Sequence, residues 1–143
     1  MKIHNTYNKT VIFEDDADTI KELVEIAIQE DIDLRGADLS WADLTDIELE
    51  GVNLEGANLD WADLEGANLS YADLNWSHLM YTNLTDADLT GTDLKDADLS
   101  RSDLTDADLT DADLRWANLR GADLTDAILE NANLKGTILE GDK

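Results

Sequence analysis

The dominant pattern in the sequence is a five-residue repeat that runs without interruption through residues 32–141. Leucine occupies every fifth position from Leu34 to Leu139, which makes twenty-two units. The residue two positions before each leucine is usually alanine, and the residue between them is Asp or Asn in eighteen units. A period of five fits neither the 3.6-residue period of an α-helix nor the alternation of a long β-strand. Repetition at a fixed short period indicates a solenoid built from stacked units.

Each unit predicts a short extended segment followed by a turn. The leucine and the small residue two positions earlier share one face of an extended segment, so both point inward while the Asp or Asn between them points to solvent. Glycine often lies two positions after the leucine, and Asp, Asn, Ser and Thr fill neighbouring positions, as is typical of turns. Five units carry a hydroxyl residue at the small position, where we expect a hydrogen bond to nearby backbone: Ser77, Thr82, Thr92, Ser102 and Thr137.

Units such as Ala37-Asp38-Leu39-Ser40-Trp41 and Ala57-Asn58-Leu59-Asp60-Trp61 have the form A-(D/N)-L-x-x. Because of this form, the chain resembles the pentapeptide-repeat family over residues 32–141, about three-quarters of its length. The resemblance implies an all-β solenoid, a right-handed quadrilateral β-helix with four units per coil. Twenty-two units then make about five and a half coils.

Residues 1–31 precede the repeat and predict an N-terminal cap made of a strand and an α-helix. Val, Ile and Phe at 11–13 form a β-prone run, and Asp15 or Asp16 is suited to N-cap a helix over 17–29. Five apolar residues recur there with helical spacing: Ile20, Leu23, Val24, Ala27 and Ile28. An open solenoid end exposes apolar side chains and backbone groups, so we expect the strand and helix to cover the first coil. A partner-binding helix is the alternative.

Charge and composition limit the classes of partner. The 143 residues carry 34 acidic and 10 basic side chains, a net charge of −24. This balance argues against nucleic acid and anionic membranes as partners, because both are bound through Lys and Arg. The chain has no cysteine, which excludes disulfides and thiolate metal sites. It shows no apolar run typical of a signal peptide or membrane span, so we expect a soluble, cytoplasmic protein.

If four units form one coil, residues twenty apart lie above one another and the sequence maps onto four walls. The mixed wall runs through Leu34 and carries four cations: Arg35, Lys95, Arg115 and Lys135. The aromatic wall runs through Leu39 and places four large side chains in one column: Trp41, Trp61, Tyr81 and Arg101. The acidic wall runs through Leu44 and the fourth wall through Leu49, and neither contains Lys or Arg.

The first hypothesis for function is a non-catalytic scaffold or protein-interaction rod. Exposed aromatic clusters often mark partner sites. The candidate interaction residues are the column Trp41, Trp61 and Tyr81, together with Met80 and with Tyr71 and Trp76, which we expect to lie nearby. The structural alternative is that aromatic residues at the corners stack on one another and cover strand edges.

The second hypothesis is a DNA mimic. Members of the family resembling the quinolone-resistance group present an acidic rod to type II topoisomerases such as gyrase. The candidate acidic face consists of Asp43, Asp46, Asp63, Asp86, Asp103, Asp106, Asp123 and Asp126. Local turn chemistry is the competing explanation, and it suits Asp103 and Asp123 better than the corner residues. Some members of that group have loops that project from the rod, whereas this chain has no insertion between units.

Catalysis has little support in the sequence. His4 and His78 are the only histidines, too few for a convincing triad or histidine zinc site, so we expect no catalytic residues, cofactor or metal.

Self-association has better support, because the last repeats replace the outward Asp or Asn with isoleucine. We expect a homodimer, joined end to end through roughly residues 124–141. Its candidate contact residues are Ile128, Leu134, Ile138 and Leu139.

Overall fold

The computed structural model describes residues 1–139. The N-terminal part of the chain forms a small sheet and a helix. Strand β1 (Lys2–Asn5) pairs antiparallel with β2 (Val11–Glu14) on one side and with β3 (Ala37–Asp38) on the other. Helix α1 spans Ile20–Gln29. Because β3 lies in the second repeat unit, the sheet joins the N-terminal segment to the first coil. Among residues 1–139, no helix has the length and apolarity that crossing a membrane requires.

The repeat region is held together by parallel β-bridges between residues twenty apart. In residues 1–139 there are seventeen such bridges, from Asp38↔Asn58 to Asn118↔Ile138, and all have this spacing. Four units therefore complete one coil throughout. The N–H of Leu39 donates to the C=O of Asn58 at 2.8 Å, and the N–H of Asn58 donates to the C=O of Ala37 at 2.8 Å. The prediction that residues twenty apart stack is confirmed.

Each unit turns a corner through a β-turn. The N–H of the next small residue donates to the leucine C=O three positions earlier, for example Ala57 to Leu54 at 2.9 Å. From Gly36 to Gly136, the residue two positions after each leucine has a φ between 53° and 77°. A turn with this hydrogen bond and a positive φ only at its third residue is type II. Glycine adopts that φ without steric cost, which explains why it recurs there.

The leucines fill the interior of the coils. All eighteen from Leu34 to Leu119 are at most 2% exposed, and burying each contributes about 1.5–3 kcal/mol. The hydroxyl residues at the small position bond as predicted: Ser77 Oγ donates to the C=O of Leu74 at 2.7 Å. Thr92 Oγ1 donates to a leucine C=O in the coil before it at 2.8 Å. These bonds satisfy hydroxyls that would otherwise be buried without a partner.

Helix α1 begins at Ile20, three residues later than predicted. Its N-cap is Thr19, whose hydroxyl accepts the N–H of Glu22 at 3.1 Å. The prediction that Asp15 or Asp16 caps the helix is therefore wrong. With Thr19 as its N-cap, the helix has ten residues.

Strand β1 was not predicted from the sequence. It has a single buried apolar residue, Ile3, which faces Phe13 of β2. One apolar residue in four is too weak a pattern to indicate a strand, and β1 forms because its neighbours supply hydrogen bonds on both edges. Strand β2 covers the predicted run at 11–13 and one further residue.

The two ends of the coil region are covered to different extents. Leu23, Val24 and Ala27 of α1 are fully buried in one cluster with the leucines of the coils, and Leu34 in the first coil is 1% exposed. At the other end, Leu134 is 41% exposed. The apolar face of α1 thus gives the first coil a neighbour that the last described coil lacks within residues 1–139.

Candidate functional site

Four side chains at one corner of the aromatic wall form a continuous stack, which we call the aromatic ladder. The ring centroids of Trp41 and Trp61 lie 4.9 Å apart with an interplanar angle of 1°. Those of Trp61 and Tyr81 lie 4.1 Å apart at 9°. The guanidinium carbon of Arg101 lies 5.4 Å from the Tyr81 ring centroid, and its Nη1 donates to the Tyr81 hydroxyl. The predicted column is thus confirmed as a physical stack.

The ladder has one open end, because corner side chains lean toward the next coil. A Cβ atom placed on Gly91 would lie 2.7 Å from Cε1 of Tyr71, twenty residues earlier. One placed on Gly121 would lie 3.5 Å from Cγ of Arg101. Each corner side chain therefore covers the residue twenty positions later. Within residues 1–139, no ring or cation lies over the outer face of Trp41.

The exposed fraction of the aromatic side chains decreases along the ladder from its open end. Trp41 is 71% exposed, Trp61 is 45% exposed and Tyr81 is 36% exposed. The residue at the open end therefore offers the most surface. Met80, which precedes Tyr81, is half-buried on the same wall.

The remaining predicted aromatic residues are not part of the ladder. Tyr71 lies at the corner between the fourth and mixed walls, half a coil from Tyr81, and its ring lies over Gly91. Trp76 lies at the corner between the mixed and aromatic walls. The expectation that they would lie near the ladder is wrong, because five or ten residues along the chain lead to a different corner.

A second aromatic column was missed by sequence reasoning. Trp116 is exposed and lies two coils beyond Trp76 at the same corner. Tyr7, from the N-terminal segment, lies over Gly36 and Gly56 of that column, and its hydroxyl donates to the C=O of Gly56 at 3.1 Å. The spacing of forty residues between Trp76 and Trp116 could have predicted that they share a corner. Tyr7 lies outside the repeat, so the repeat pattern does not indicate its position.

All six aromatic residues of the repeats occupy corners with positive φ: Trp41, Trp61, Tyr71, Trp76, Tyr81 and Trp116. Left-handed backbone costs a non-glycine residue about 1–2 kcal/mol, and bulky residues rarely adopt it. Stacking returns about 0.5–1.5 kcal/mol for each ring pair in the ladder. The other three rings stack on no second ring within residues 1–139. Backbone preference therefore does not account for aromatic residues at these corners.

Local turn chemistry accounts for the Asp and Asn residues that precede the leucines. Within residues 1–139, seventeen of the eighteen accept the backbone N–H two positions later. Asp103 Oδ1, for example, accepts the N–H of Thr105 at 3.0 Å and its hydroxyl at 2.6 Å. The same bonds from Thr125 hold the pKa of Asp123 below its usual value. Much of the acidity thus serves to fix the turns.

Three of the four cations on the mixed wall pair with a carboxylate two residues earlier. The Arg35 guanidinium hydrogen-bonds Asp33 and lowers the pKa of that carboxyl to about 2. Arg115 lowers the pKa of Asp113 in the same way, with an Nη2–Oδ2 distance of 2.6 Å. The charges of this wall are therefore largely neutralised within single units.

The acidic wall has no such pairing among residues 1–139, where the ion pairs lie elsewhere. Its candidate residues fall into two groups. Asp43, Asp63, Asp103 and Asp123 bond turn N–H groups, and Asp46, Asp86, Asp106 and Asp126 are corners with φ between 53° and 58°. Asp tolerates left-handed backbone better than most residues, so conformation gives the corner group a structural reason too. Asn83 donates to Asp63 at 2.9 Å and so interrupts the carboxylate column.

The candidate dimer residues lie at the less covered end. Leu139 is 43% exposed, Ile128 is exposed and Ile138 is partly buried. Both isoleucines still form bridges to the preceding coil. Residues 140 and 141 of the predicted contact region lie outside the described residues.

Neither histidine lies in a cluster. His4 is part of β1, and His78 occupies an outward position between Asn58 and Asp98 of the adjacent coils. Within residues 1–139, no group of three His, Asp or Glu side chains is arranged to hold a metal ion.

The model of the pentapeptide repeats family matches residues 32–70, 67–106 and 107–141. The chain therefore belongs to the pentapeptide-repeat family, whose members fold as right-handed quadrilateral β-helices.

The chain is also similar to several solved structures. The pentapeptide repeat protein Rfr23 from the cyanobacterium Cyanothece 51142 is 41% identical, with a TM-score of 0.62, over 63% of this chain and 61% of that one. HetL, a protein involved in heterocyst differentiation regulation from Nostoc sp. strain PCC 7120, is 35% identical, with a TM-score of 0.45, over 77% and 60%. QnrB1, a plasmid-mediated fluoroquinolone resistance protein, is 21% identical, with a TM-score of 0.51, over 73% and 61%.

The chain spans about three-fifths of the length of these three proteins. The likeness to QnrB1 is one of fold. Among curated proteins, none matches the chain.

Proposed function

We propose that the chain is a non-catalytic rod of about five and a half coils that serves as a scaffold and protein-interaction module. Residues 1–31 cap its first coil. Two observations support the cap: β1 pairs with β3 of the first coil, and α1 buries its apolar face in the same cluster as the leucines of the coils.

The aromatic ladder is the observation that carries the proposal. Three aromatic side chains stack at corners where glycine would fit without backbone strain, and strained positions tend to be kept where function requires them. Covering strand edges explains the inner rings, Trp61 and Tyr81, which each contact two neighbours in the stack. It does not explain Trp41, which is 71% exposed. An exposed aromatic surface on a rigid scaffold suits a protein partner.

Partner capture tests this function. Proteins cross-linked to the immobilised chain are identified by mass spectrometry, and binding is then measured with the purified partner. The variant Trp41→Gly with Trp61→Gly is expected to lose binding, and glycine keeps the corner backbone because seven corners in the described part of the chain already carry it. The matched control is Trp76→Gly with Trp116→Gly at another corner. A partner that binds both variants as well as the wild type contradicts the assignment.

A DNA mimic is the second candidate, favoured by the unpaired carboxylates of the acidic wall. The test is inhibition of gyrase supercoiling at low and moderate salt, since electrostatic binding weakens with ionic strength. The mimic predicts salt-sensitive inhibition that Asp86→Asn, Asp106→Asn and Asp126→Asn together weaken. Asp73→Asn, Asp93→Asn and Asp113→Asn make the same change in charge on the mixed wall and should have less effect. Absence of inhibition at low salt rules the mimic out.

We also propose that two copies associate end to end through roughly residues 124–141. The exposed apolar side chains Ile128, Leu134 and Leu139 support this, because a two-fold contact would cover them. Size-exclusion chromatography with light scattering at micromolar concentration should give twice the monomer mass. Leu134→Glu should give the monomer. A monomeric wild type contradicts the proposal.

A further inference from the structure

We propose that the aromatic ladder, with the carboxylates beside it, binds a basic protein segment through arginine, one guanidinium stacking on the open ring face of Trp41. This rests on the proposed function, since it names the chemistry of the partner that the ladder takes.

The ladder already holds one guanidinium at its other end. Arg101 lies 5.4 Å from the centroid of the Tyr81 ring and donates a hydrogen bond to the Tyr81 hydroxyl. A guanidinium is planar and weakly hydrated, so it stacks on aromatic faces in a way that an ammonium does not. The chain thus provides its own example of the contact that we propose for a partner.

The opposite end of the ladder presents the same kind of surface without an occupant among residues 1–139. The inner face of Trp41 is stacked on Trp61, and the outer face is free because corner side chains lean toward the following coil. An indole face carries the negative part of the ring quadrupole and attracts cations. Within residues 1–139, no second ring and no cation of the chain is stacked on this face.

The carboxylates beside the open end already attract lysines of the chain. Asp43 follows Trp41 by two residues at the edge of the acidic wall, and hydrogen bonds from Thr45 hold the pKa of Asp43 below its usual value. The charge of Lys21, whose Nζ donates to the C=O of Thr45, also lowers it. Asp38, three residues before Trp41, already takes a cation, since Lys9 Nζ lies 3.3 Å from its Oδ2.

Arginine fits this combination better than lysine. Its flat fork can stack on an indole while its N–H groups donate to a neighbouring carboxylate. The net charge of −24 supplies long-range attraction for a basic segment but does not distinguish the two cations. We therefore expect the ladder to make the chain bind an arginine segment more tightly than a lysine segment of the same charge.

Fluorescence anisotropy with two synthetic peptides tests the inference. One alternates arginine and glycine, and the other replaces every arginine with lysine. At about 150 mM salt, where distant charges are screened, the arginine peptide should bind about two- to five-fold more tightly. The Trp41→Gly variant should bind the arginine peptide no more tightly than the lysine peptide. Its affinity for the lysine peptide should equal that of the wild type. Trp116→Gly, at an unstacked corner, should leave the preference intact.

Three results overturn the inference: equal affinity for the two peptides, an arginine preference that survives Trp41→Gly, and no binding of either peptide. Circular dichroism of each variant confirms that the fold is kept. A partner whose capture depends on Trp41 and Trp61 while the peptides show no arginine preference overturns this inference alone. The proposed interaction function would stand in that case, with another partner chemistry.

Discussion

The two ends of the coil region contain the same unit in different surroundings. Leu34 and Leu134 lie one hundred residues apart in the same column of the mixed wall, yet the first is 1% exposed and the second is 41% exposed. The first has α1 packed near it, and the second has no such element among residues 1–139. A repeat unit therefore does not determine the burial of its own leucine. Its neighbours along the rod do, as expected for a solenoid whose units contact mainly adjacent coils.

The largest expected effect separates these two leucines. Leu34→Ala should lower the free energy of unfolding by about 2–5 kcal/mol, because it opens a cavity under the N-terminal segment. Leu134→Ala should cost less than about 1 kcal/mol in dilute, monomeric protein, because the side chain remains partly in water. Urea denaturation of the two variants measures the difference. Equal losses would mean that the ends are covered alike.

The covered end can also be loosened without touching a leucine. Thr19→Ala removes the hydroxyl that accepts the N–H of Glu22 and should destabilise α1 by about 1 kcal/mol. Hydrogen exchange should then show faster exchange of the first-coil amides, with those of the last described coil unchanged. Thr19→Ser, which keeps the cap, is the matched control. Unchanged exchange in the first coil would show that α1 does not protect it.

Acid should also lower the stability of the covered end, by a smaller amount. The pKa of Asp33 is lowered to about 2 by Arg35, so the bond stabilises the fold fully above the unfolded pKa of about 3.9. That contribution is lost as the pH falls through about 2. The pair is exposed, so solvent screening keeps the contribution small.

The corresponding position one hundred residues later is Asn133, which does not titrate. Unfolding followed between about pH 4 and about pH 2 should therefore depend less on pH in Asp33→Asn than in the wild type. Asp73→Asn, in the same column without a cation two positions later, controls for the general loss of a carboxylate. An identical pH dependence in Asp33→Asn and the wild type would contradict the role of this pair.

The sequence predicted the coils and the ladder because both follow from the five-residue unit, together with the four units per coil that the resemblance to the pentapeptide-repeat family implies. With every unit five residues long, four units per coil place Trp41, Trp61 and Tyr81 in one column. The same arithmetic also places Tyr71 and Trp76 at other corners. Grouping them with the ladder relied on distance along the chain, which a coil does not preserve.

Other features depend on contacts that the repeat does not encode. The positive φ at Trp41 or Asp86 is imposed by the turn, since tryptophan has no preference for it. The lean of corner side chains, which leaves one end of the ladder open, follows from packing on the next coil. Strand β1 and the position of Tyr7 depend on the surface of the first coil, which residues 1–31 alone do not specify.

The stacking of residues twenty apart supports every surface described above, and a disulfide tests it directly. The chain has no cysteine, so Thr85→Cys with Thr105→Cys introduces a defined pair. Parallel neighbours lie about 4.8 Å apart, within the range of Cα distances that a disulfide spans. Mild oxidation should bridge this pair within one chain, whereas Thr85→Cys with Ser100→Cys, three units apart, should stay reduced. A bridge in the second variant and none in the first would contradict the four-unit coil.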